Sequence, residues 1–144
     1  MNNVTEPIRD SFVWQVRVYW EDTDAGGVVY HSQYLNFFER ARTEWLRSRG
    51  VHQAKLADEA GILFAIRHME IDWLGPARLD DVLDVSVFGV DAGRSRLTFR
   101  QDMTRSADGA RLASAMVTAA CLDAESFKPT RMPDWIRTET KNAD

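Results

Sequence analysis

Three structural signals follow one another between Val16 and Gly50, in the segment VRVYWEDTDAGGVVYHSQYLNFFERARTEWLRSRG. Up to Trp20 the chain is rich in β-branched and aromatic side chains, which predicts a strand from Phe12 to Trp20. An acidic loop with two glycines follows from Glu21 to Gly27. The remainder has helical periodicity that ends at Gly50. We therefore expect a strand, a loop and a helix, with the other elements arranged around them.

The predicted helix has one strongly aromatic face. Its large apolar residues recur at three- and four-residue steps, the spacing that places side chains on one side of a helix. Ser32 is a suitable N-cap residue and Gly50 a suitable residue beyond the C-terminus. A shorter helix is predicted from His52 to Ala60, where Gly61 would stop it. The apolar face comprises Tyr34, Phe37, Phe38, Ala41, Trp45 and Leu46.

The second half of the chain has the pattern of four strands joined largely by short turns. These elements predict an α+β fold, with one antiparallel sheet of about five strands wrapped around one long central helix. Such a sheet leaves one edge and one helix face only partly covered, which favours a homodimer. The four predicted strands are Ile62 to Trp73, Val82 to Val90, Ser95 to Thr104 and Ala110 to Leu122.

Length, charge and cysteine content limit the class of protein. The 144 residues, 44% of them apolar, predict one domain over residues 1–144, with residues 1–11 as a loosely held arm. A net charge of -4 gives no sign of nucleic-acid binding. The single cysteine, Cys121, fits a reducing compartment, and no signal peptide or apolar run of about 18 residues is present. We expect a cytoplasmic protein without a transmembrane segment.

The acidic loop and the start of the helix combine groups that suit catalysis. Asp24 lies beside two glycines, and His31 follows where the helix begins. Unpaired backbone N–H groups and the helix dipole favour negative charge at a helix N-terminus, so chemistry that passes through an oxyanion suits this site. The alternative is structural, because Asp22 or Asp24 could cap a turn and His31 could be an ordinary surface residue.

Other kinds of site have weaker support. Asp22, Asp24, His31 and Glu39 could converge on a metal, but their spacing matches none of the zinc signatures, and we expect no metal. The two adjacent glycines form neither a phosphate loop nor a dinucleotide fingerprint. Arginines on the later strands could hold phosphates or could form a solvated strand face. They are Arg94, Arg96, Arg100 and Arg105.

The run YWEDTDAGGVVYHSQY, Tyr19 to Tyr34, closely resembles the active-site segment of hotdog-fold acyl-CoA thioesterases of the hydroxybenzoyl-CoA thioesterase type. Within these it is most similar to the YbgC-like thioesterases associated with the bacterial Tol-Pal system. The likeness continues through FERARTE at Phe38 to Glu44, PARLDD at Pro76 to Asp81 and the pair Lys128-Pro129. One departure is Trp20, where relatives often carry tyrosine.

The resemblance implies a hotdog fold assembled as a homodimer and often as a homotetramer, with acyl-CoA in a cleft at the dimer interface and no cofactor. It implies that the carboxylate of Asp24 acts on the thioester and that the backbone N–H of His31 contacts the oxyanion. The histidine side chain is expected to have an orienting role. Gly27, Val28, Tyr30 and His31 are the expected substrate contacts.

Three functions remain open at this point. The first is hydrolysis of an acyl-CoA thioester, with Asp24 either as nucleophile or as general base. The second is a non-catalytic module that binds acyl groups or acyl carrier protein. The third is a hotdog dehydratase, which needs a different arrangement of histidine and aspartate and ranks below the other two.

Overall fold

The computed structural model describes residues 11–141, so that residues 1–10 of the predicted arm lie outside it. Five strands form one antiparallel sheet in the order β1-β3-β4-β5-β2. They are β1 (Phe12–Arg17), β2 (Ile62–Trp73), β3 (Val82–Ala92), β4 (Arg96–Arg105) and β5 (Arg111–Asp123). The helices are α1 (Gln33–Ser48), α2 (Gln53–Ala60) and α3 (Asp134–Thr140). The predicted α+β class and five-stranded sheet are confirmed.

Helix α1 covers the inner face of the sheet. Every residue of its predicted apolar face is buried, and buried side chains alternate along β4 from Leu97 to Met103. Trp45 meets Phe99 of β4 edge-to-face, with ring centroids 5.8 Å apart. This pair ties the second half of α1 to the middle of the sheet and adds about 0.5–1.5 kcal/mol beyond the area that it buries.

The two ends of α1 are stabilised differently. At the C-terminus the N–H of Gly50 donates to Arg47 O and the N–H of Val51 donates to Leu46 O, the paired bonds of a Schellman motif. Gly50 has a φ of 82°, which confirms the sequence prediction for this position. At the N-terminus Ser32 occupies the N-cap position, but its side chain makes no capping hydrogen bond. Stabilisation of that end therefore comes from other residues.

The first strand is shorter than predicted. It ends at Arg17 rather than Trp20, because residues Trp20–Asp22 form a turn of 3-10 helix. The carboxylate of Asp22 accepts the N–H of Tyr19 at 2.8 Å and so turns the chain away from the sheet. In contrast, β2 has the predicted bounds. The sequence interpretation did not include α3.

Both outer strands of the sheet, β1 and β2, have an open edge. Strand β2 has twelve residues, and its edge exposes apolar side chains such as Ile66, which is 50% exposed. A bulge interrupts its pairing with β5 between Ile66 and His68. Within residues 11–141, none of the helices is sufficiently long and apolar to cross a membrane.

Candidate active site

Asp22 holds the acidic loop against the start of α1. It is only 4% exposed, and its carboxylate accepts two hydrogen bonds, from the N–H of Tyr19 and from Nε2 of Gln33, each at 2.8 Å. Its backbone carbonyl accepts the N–H of Tyr30 at 3.0 Å. Asp22 therefore joins the end of β1 to the first turn of α1, which is the structural role that the sequence left open for it.

Asp24 lies in a tight turn and is exposed. Its N–H donates to Val28 O at 2.9 Å, and its carbonyl accepts the N–H of Gly27 at 3.0 Å. Gly27 has a φ of 79°, in the left-handed region that favours glycine. The carboxylate oxygen Oδ1 accepts the N–H of Gly26 at 2.8 Å. This bond caps the turn and at the same time fixes the orientation of a carboxylate that solvent can reach.

The peptide group before His31 lies between two anchored neighbours. On one side, the N–H of Tyr30 donates to Asp22 O; on the other, Trp73 Nε1 donates to His31 O at 3.2 Å. Within residues 11–141, the N–H of His31 has no hydrogen-bond acceptor. A backbone donor fixed at the start of α1 is well suited to stabilise an oxyanion, since the positive end of the helix dipole lies there.

The segment from Trp73 to Asp81 forms hydrogen bonds with the acidic loop and with the first turn of α1. Ala77 O accepts the N–H of Val29 at 2.8 Å, and Val28 forms a bridge with Arg78. The hydroxyl of Tyr34 accepts the N–H of Ala77 at 3.0 Å and donates to Gly75 O at 3.3 Å. The loop and the helix N-terminus are therefore fastened to the same short segment.

Arg105 holds that supporting segment in turn. Its guanidinium donates to Pro76 O at 3.0 Å and to a carboxylate oxygen of Asp81 at 3.2 Å. A third bond reaches Asp108 at 2.9 Å, and these two carboxylates raise the pKa of Arg105 above its ordinary value. Arg105 is thus a structural residue, whereas Arg94, Arg96 and Arg100 are exposed.

An open depression of about 350 Å³ lies next to His31. Tyr34 and Trp73 form part of its wall, and most of the remaining lining is apolar. Such a surface suits an uncharged acyl or thioester group better than a polar one. The lining residues are Val28, Val29, His31, Tyr34, Trp73, Leu74, Gly75 and Pro76.

The predicted site residues all belong to this one loop and helix start. Gly27 and Val28 form the turn that carries Asp24, and Tyr30 is an exposed neighbour of His31. The His31 ring packs beside Tyr30, with centroids 4.5 Å apart, and edge-on to Trp73 at 6.1 Å. Among residues 11–141 the side chains of Asp24 and His31 do not hydrogen-bond to each other, so the orienting role of the imidazole stays a prediction.

Residues 18–139 match the model of the thioesterase-like superfamily. The chain belongs to this superfamily. It is 41% identical over 128 residues to an acyl-CoA thioesterase YbgC of Haemophilus influenzae, covering 89% of this chain and 93% of that protein. It is 42% identical over 130 residues to an acyl-CoA thioester hydrolase YbgC of Escherichia coli, covering 90% of this chain and 96% of that protein.

Solved thioesterase structures have the same fold. A 1,4-dihydroxy-2-naphthoyl-CoA thioesterase from Synechocystis superposes with a TM-score of 0.83 at 26% identity, covering 90% of this chain and 94% of that one. A probable thioesterase from Bartonella henselae gives a TM-score of 0.79 at 36% identity, with coverage of 85% and 99%. The hotdog fold and the resemblance to YbgC-like thioesterases are confirmed.

Two other chemistries find little support in this thioesterase-like chain. Within residues 11–141 no group of three or more His, Cys, Asp or Glu side chains could hold a metal ion. Both carboxylate oxygens of Asp22 already accept hydrogen bonds from the protein. Burial raises the pKa of the Cys121 thiol, so this residue is a poor nucleophile.

Sequence reasoning did not identify two residues that shape the site. Trp73 was assigned only to a strand, and Tyr34 only to the apolar face of α1. The hydrogen bonds of both are long-range in sequence, 42 residues for Trp73 and 43 for the bond from Ala77 to Tyr34. A buried tyrosine normally has a polar partner, and for Tyr34 this is the one signal that suggests a further role; Trp73 is 46% exposed, so the rule does not apply to it.

Proposed function

We propose that this protein hydrolyses an acyl-CoA thioester to a free carboxylic acid and CoA. The observation that carries the proposal is the pairing of a fixed, exposed carboxylate with an available backbone donor. The carboxylate of Asp24 is oriented by Gly26, and within residues 11–141 the N–H of His31, just before α1, has no hydrogen-bond acceptor. The acyl-CoA thioesterases of H. influenzae and E. coli match this chain over nearly its whole length, which supports the assignment.

In the proposed reaction the thioester carbonyl oxygen accepts the N–H of His31. As the carbonyl carbon becomes tetrahedral, negative charge develops on that oxygen, and the N–H and the helix dipole stabilise it. One such donor typically contributes about 10²–10³ in rate. The His31 side chain is not needed for this step, since the donor belongs to the backbone.

Asp24 acts on the carbonyl carbon in one of two ways. As a nucleophile, a carboxylate oxygen forms a bond to that carbon, the C–S bond breaks, and CoA leaves as a thiolate; water then hydrolyses the mixed anhydride. As a general base, Asp24 takes a proton from water while the water oxygen forms a bond to the same carbon; the C–S bond then breaks, and the proton passes from Asp24 to the departing thiolate. Both routes release one acid and one thiol for each water consumed.

The decisive experiment measures free thiol released from short, long and aromatic acyl-CoAs by the wild type, Asp24→Asn and His31→Ala. We expect Asp24→Asn to lower kcat by about 10²–10⁴, the range typical of a lost acid–base group. Because Asp24 is exposed and forms hydrogen bonds only within its own turn, the thermal midpoint of the Asp24→Asn variant should match that of the wild type. His31→Ala keeps the backbone N–H and should lose far less activity. Near wild-type turnover by folded Asp24→Asn would refute the proposal.

The proposal includes an assembly and a location. A homodimer that pairs along the open edge of β2 would cover Ile66, and two such dimers would give a homotetramer. Light scattering on the purified protein measures this state directly. A cytoplasmic location accords with a single buried thiol. Acyl carrier protein is a second carrier to test beside CoA in the thiol-release assay.

A non-catalytic acyl-binding module is the less favoured alternative. The carboxylate of Asp24 is exposed and held by Gly26, and the N–H of His31 has no acceptor within residues 11–141; a pure binding module requires neither feature. Saturable binding of an acyl-CoA without any release of thiol would favour the module over the enzyme.

A further inference from the structure

Arg42 is a buried cation in the middle of α1 that the proposed reaction does not use. It is only 6% exposed, and its Nη1 donates to Gln101 Oε1 at 3.0 Å. Gln101 in turn donates from Nε2 to Phe38 O at 3.0 Å. Burial lowers the pKa of Arg42 to about 10, with Glu39 opposing the shift, so the guanidinium is charged at neutral pH.

The charge of Arg42 has no direct counter-charge. Within residues 11–141, no carboxylate forms an ion pair with it, and its one hydrogen-bond acceptor is the neutral amide of Gln101. A buried charge is normally paired, because leaving it unpaired carries a large desolvation penalty. The other N–H groups of the guanidinium fork are suited to a carboxylate, which they can bind through two parallel bonds.

Arg42 lines a small cavity between α1 and the sheet, with a volume of about 120 Å³. The walls are apolar and come from α1, β2, β4 and β5: Leu46, Phe64, Ile66, Leu97, Phe99 and Ala119. The remaining lining is polar: Glu39, Thr43 and Gln53. Since a cavity of about 150 Å³ accommodates benzene, this one suits an aliphatic tail of about four carbons.

We propose that this cavity binds the carboxylate of a short aliphatic acid, with Arg42 as the anion-binding group and the apolar walls around the tail. Glu39 is the one acidic side chain in the lining, and it repels the same ligand. The proposal therefore predicts opposite effects on ligand affinity for substitutions at these two residues. Removing the charge of Arg42 should weaken binding, whereas removing the charge of Glu39 should strengthen it.

Two kinds of ligand can present such a carboxylate to Arg42. Arg42 lies eleven residues beyond His31, about 16 Å along the helix axis, so the cavity is separate from the reaction site of the same chain. A free short-chain acid can bind there independently of any reaction. The second source, which rests on the proposed function, is the distal carboxylate of a dicarboxylic acyl group.

Strand β2 connects the two places. Trp73, at one end, borders the reaction site, while Phe64 and Ile66, near the other end, line the cavity. Antiparallel pairing of two β2 edges would place the cavity of one copy beside the reaction site of the other. An acyl group held for hydrolysis in one copy would then point its far end at Arg42 of the second.

The first experiment titrates butyrate and its uncharged match, butyramide, into the full chain by calorimetry. We expect Arg42→Met to weaken butyrate by about tenfold or more, the effect of losing one charge-assisted contact, and to leave butyramide unchanged. Glu39→Gln should tighten butyrate. Ala119→Val fills the cavity without touching the charge and should weaken both ligands. Arg42→Lys keeps the charge but loses the two parallel N–H bonds, so if the methionine variant does not fold, weaker butyrate binding by the lysine variant still tests the contact.

The second experiment compares glutaryl-CoA with pentanoyl-CoA, whose acyl chains have equal length and differ in the distal carboxylate. If the acyl group is the source, kcat/KM should favour glutaryl-CoA in the wild type, and Arg42→Met should remove the preference. Binding of butyrate with no such preference identifies a free-acid site. Equal affinity for butyrate and butyramide in every variant, together with no glutaryl preference, overturns the proposal. Loss of the Asp24 effect on turnover would refute the proposed function and leave the calorimetry intact.

Discussion

Buried polar side chains lie at two places along helix α1, in the loop before its N-terminus and in its middle, and their hydrogen-bond partners differ. At the N-terminus the buried carboxylate of Asp22 has both oxygens bonded to protein donors, and the reactive candidate, Asp24, is exposed. In the middle, Arg42 is itself buried and has only a neutral amide as a partner. The first region satisfies its buried polar groups internally; the second does not.

This difference distinguishes residues that stabilise the fold from residues that are available to bind a ligand. A buried polar group whose partners all come from the same chain holds the fold together, and its removal is expected to change stability. A buried charge without a counter-charge lowers the stability of the fold through its desolvation penalty. A ligand of opposite charge is therefore expected to bind most favourably at such a position. The predictions below test this distinction at individual residues.

The largest effect on stability is expected for Asp22→Ala. It removes a buried carboxylate and leaves the N–H of Tyr19 and the amide of Gln33 without their protein acceptor at partly buried positions, which should lower the free energy of unfolding by about 1–3 kcal/mol. Asp22→Asn keeps one acceptor oxygen and should lose less. Denaturant unfolding measures both. An alanine variant as stable as the wild type would show that the loop does not depend on this carboxylate.

Trp73→Phe should act mainly on the reaction. It keeps an aromatic wall but removes the donor to His31 O, so the His31 peptide is less firmly oriented. We expect kcat to fall up to about tenfold, the equivalent of one hydrogen bond, with KM little changed. Trp135→Phe changes an exposed tryptophan of α3 and serves as the control. An equal loss in both variants would mean that the Trp73 bond has no specific role.

The two glycines of the acidic loop form a matched pair. Gly27→Ala forces a left-handed backbone on alanine and should lower stability by about 1–2 kcal/mol. Gly26→Ala should spare stability, but its Cβ would lie 3.3 Å from Asp24 Oδ1 and push the carboxylate aside, lowering turnover. Thermal midpoints and kcat measured on both proteins distinguish the two effects. The pattern would be contradicted if Gly26→Ala kept full activity.

The smallest effect concerns Asp102, a partly buried charge that does have a partner. Burial raises its pKa above the ordinary 3.8, while Arg111, 3.7 Å away, and Arg100 lower it. A raised folded-state pKa means that the native state holds the proton more tightly, so stability falls as pH rises through this window. Asp102→Asn should therefore be more stable than the wild type at pH 7, by less than about 1 kcal/mol. The denaturant midpoints of the two proteins should converge below pH 3.8, where the carboxyl group is protonated in the unfolded as well as in the folded state.

Local signals in the sequence were sufficient for most of the elements. The three- and four-residue spacing of apolar side chains such as Phe37, Ala41 and Trp45 predicted which side of α1 is buried, and Gly50 and Gly61 marked where helices end. These features depend on neighbours a few residues apart, so the printed sequence contains them. The end of β1 depends instead on the hydrogen bond that the N–H of Tyr19 donates to the carboxylate of Asp22, which competes with continued strand pairing.

The candidate site was located from the sequence, but its supports were not. Asp24 and His31 lie in a single loop, where the acidic residues and glycines point to them directly. Their orientation depends on Trp73, Tyr34 and Arg105, which come from other elements. The cavity at Arg42 is equally non-local, because residues of five elements line it. Such contacts form only through tertiary packing, so the periodicity of the sequence does not predict them.

The bulge in β2 has a consequence for how the protein behaves at high concentration. A sheet with two open edges can in principle extend without limit, as edges of successive copies join into a fibre. Between Ile66 and His68 the ladder skips Arg67, which bends the outer strand and breaks the regular spacing of its free N–H and C=O groups. A flat strand cannot follow that edge over its full length. We expect the irregularity to protect against fibrous aggregation and to restrict edge pairing to a partner of matching shape.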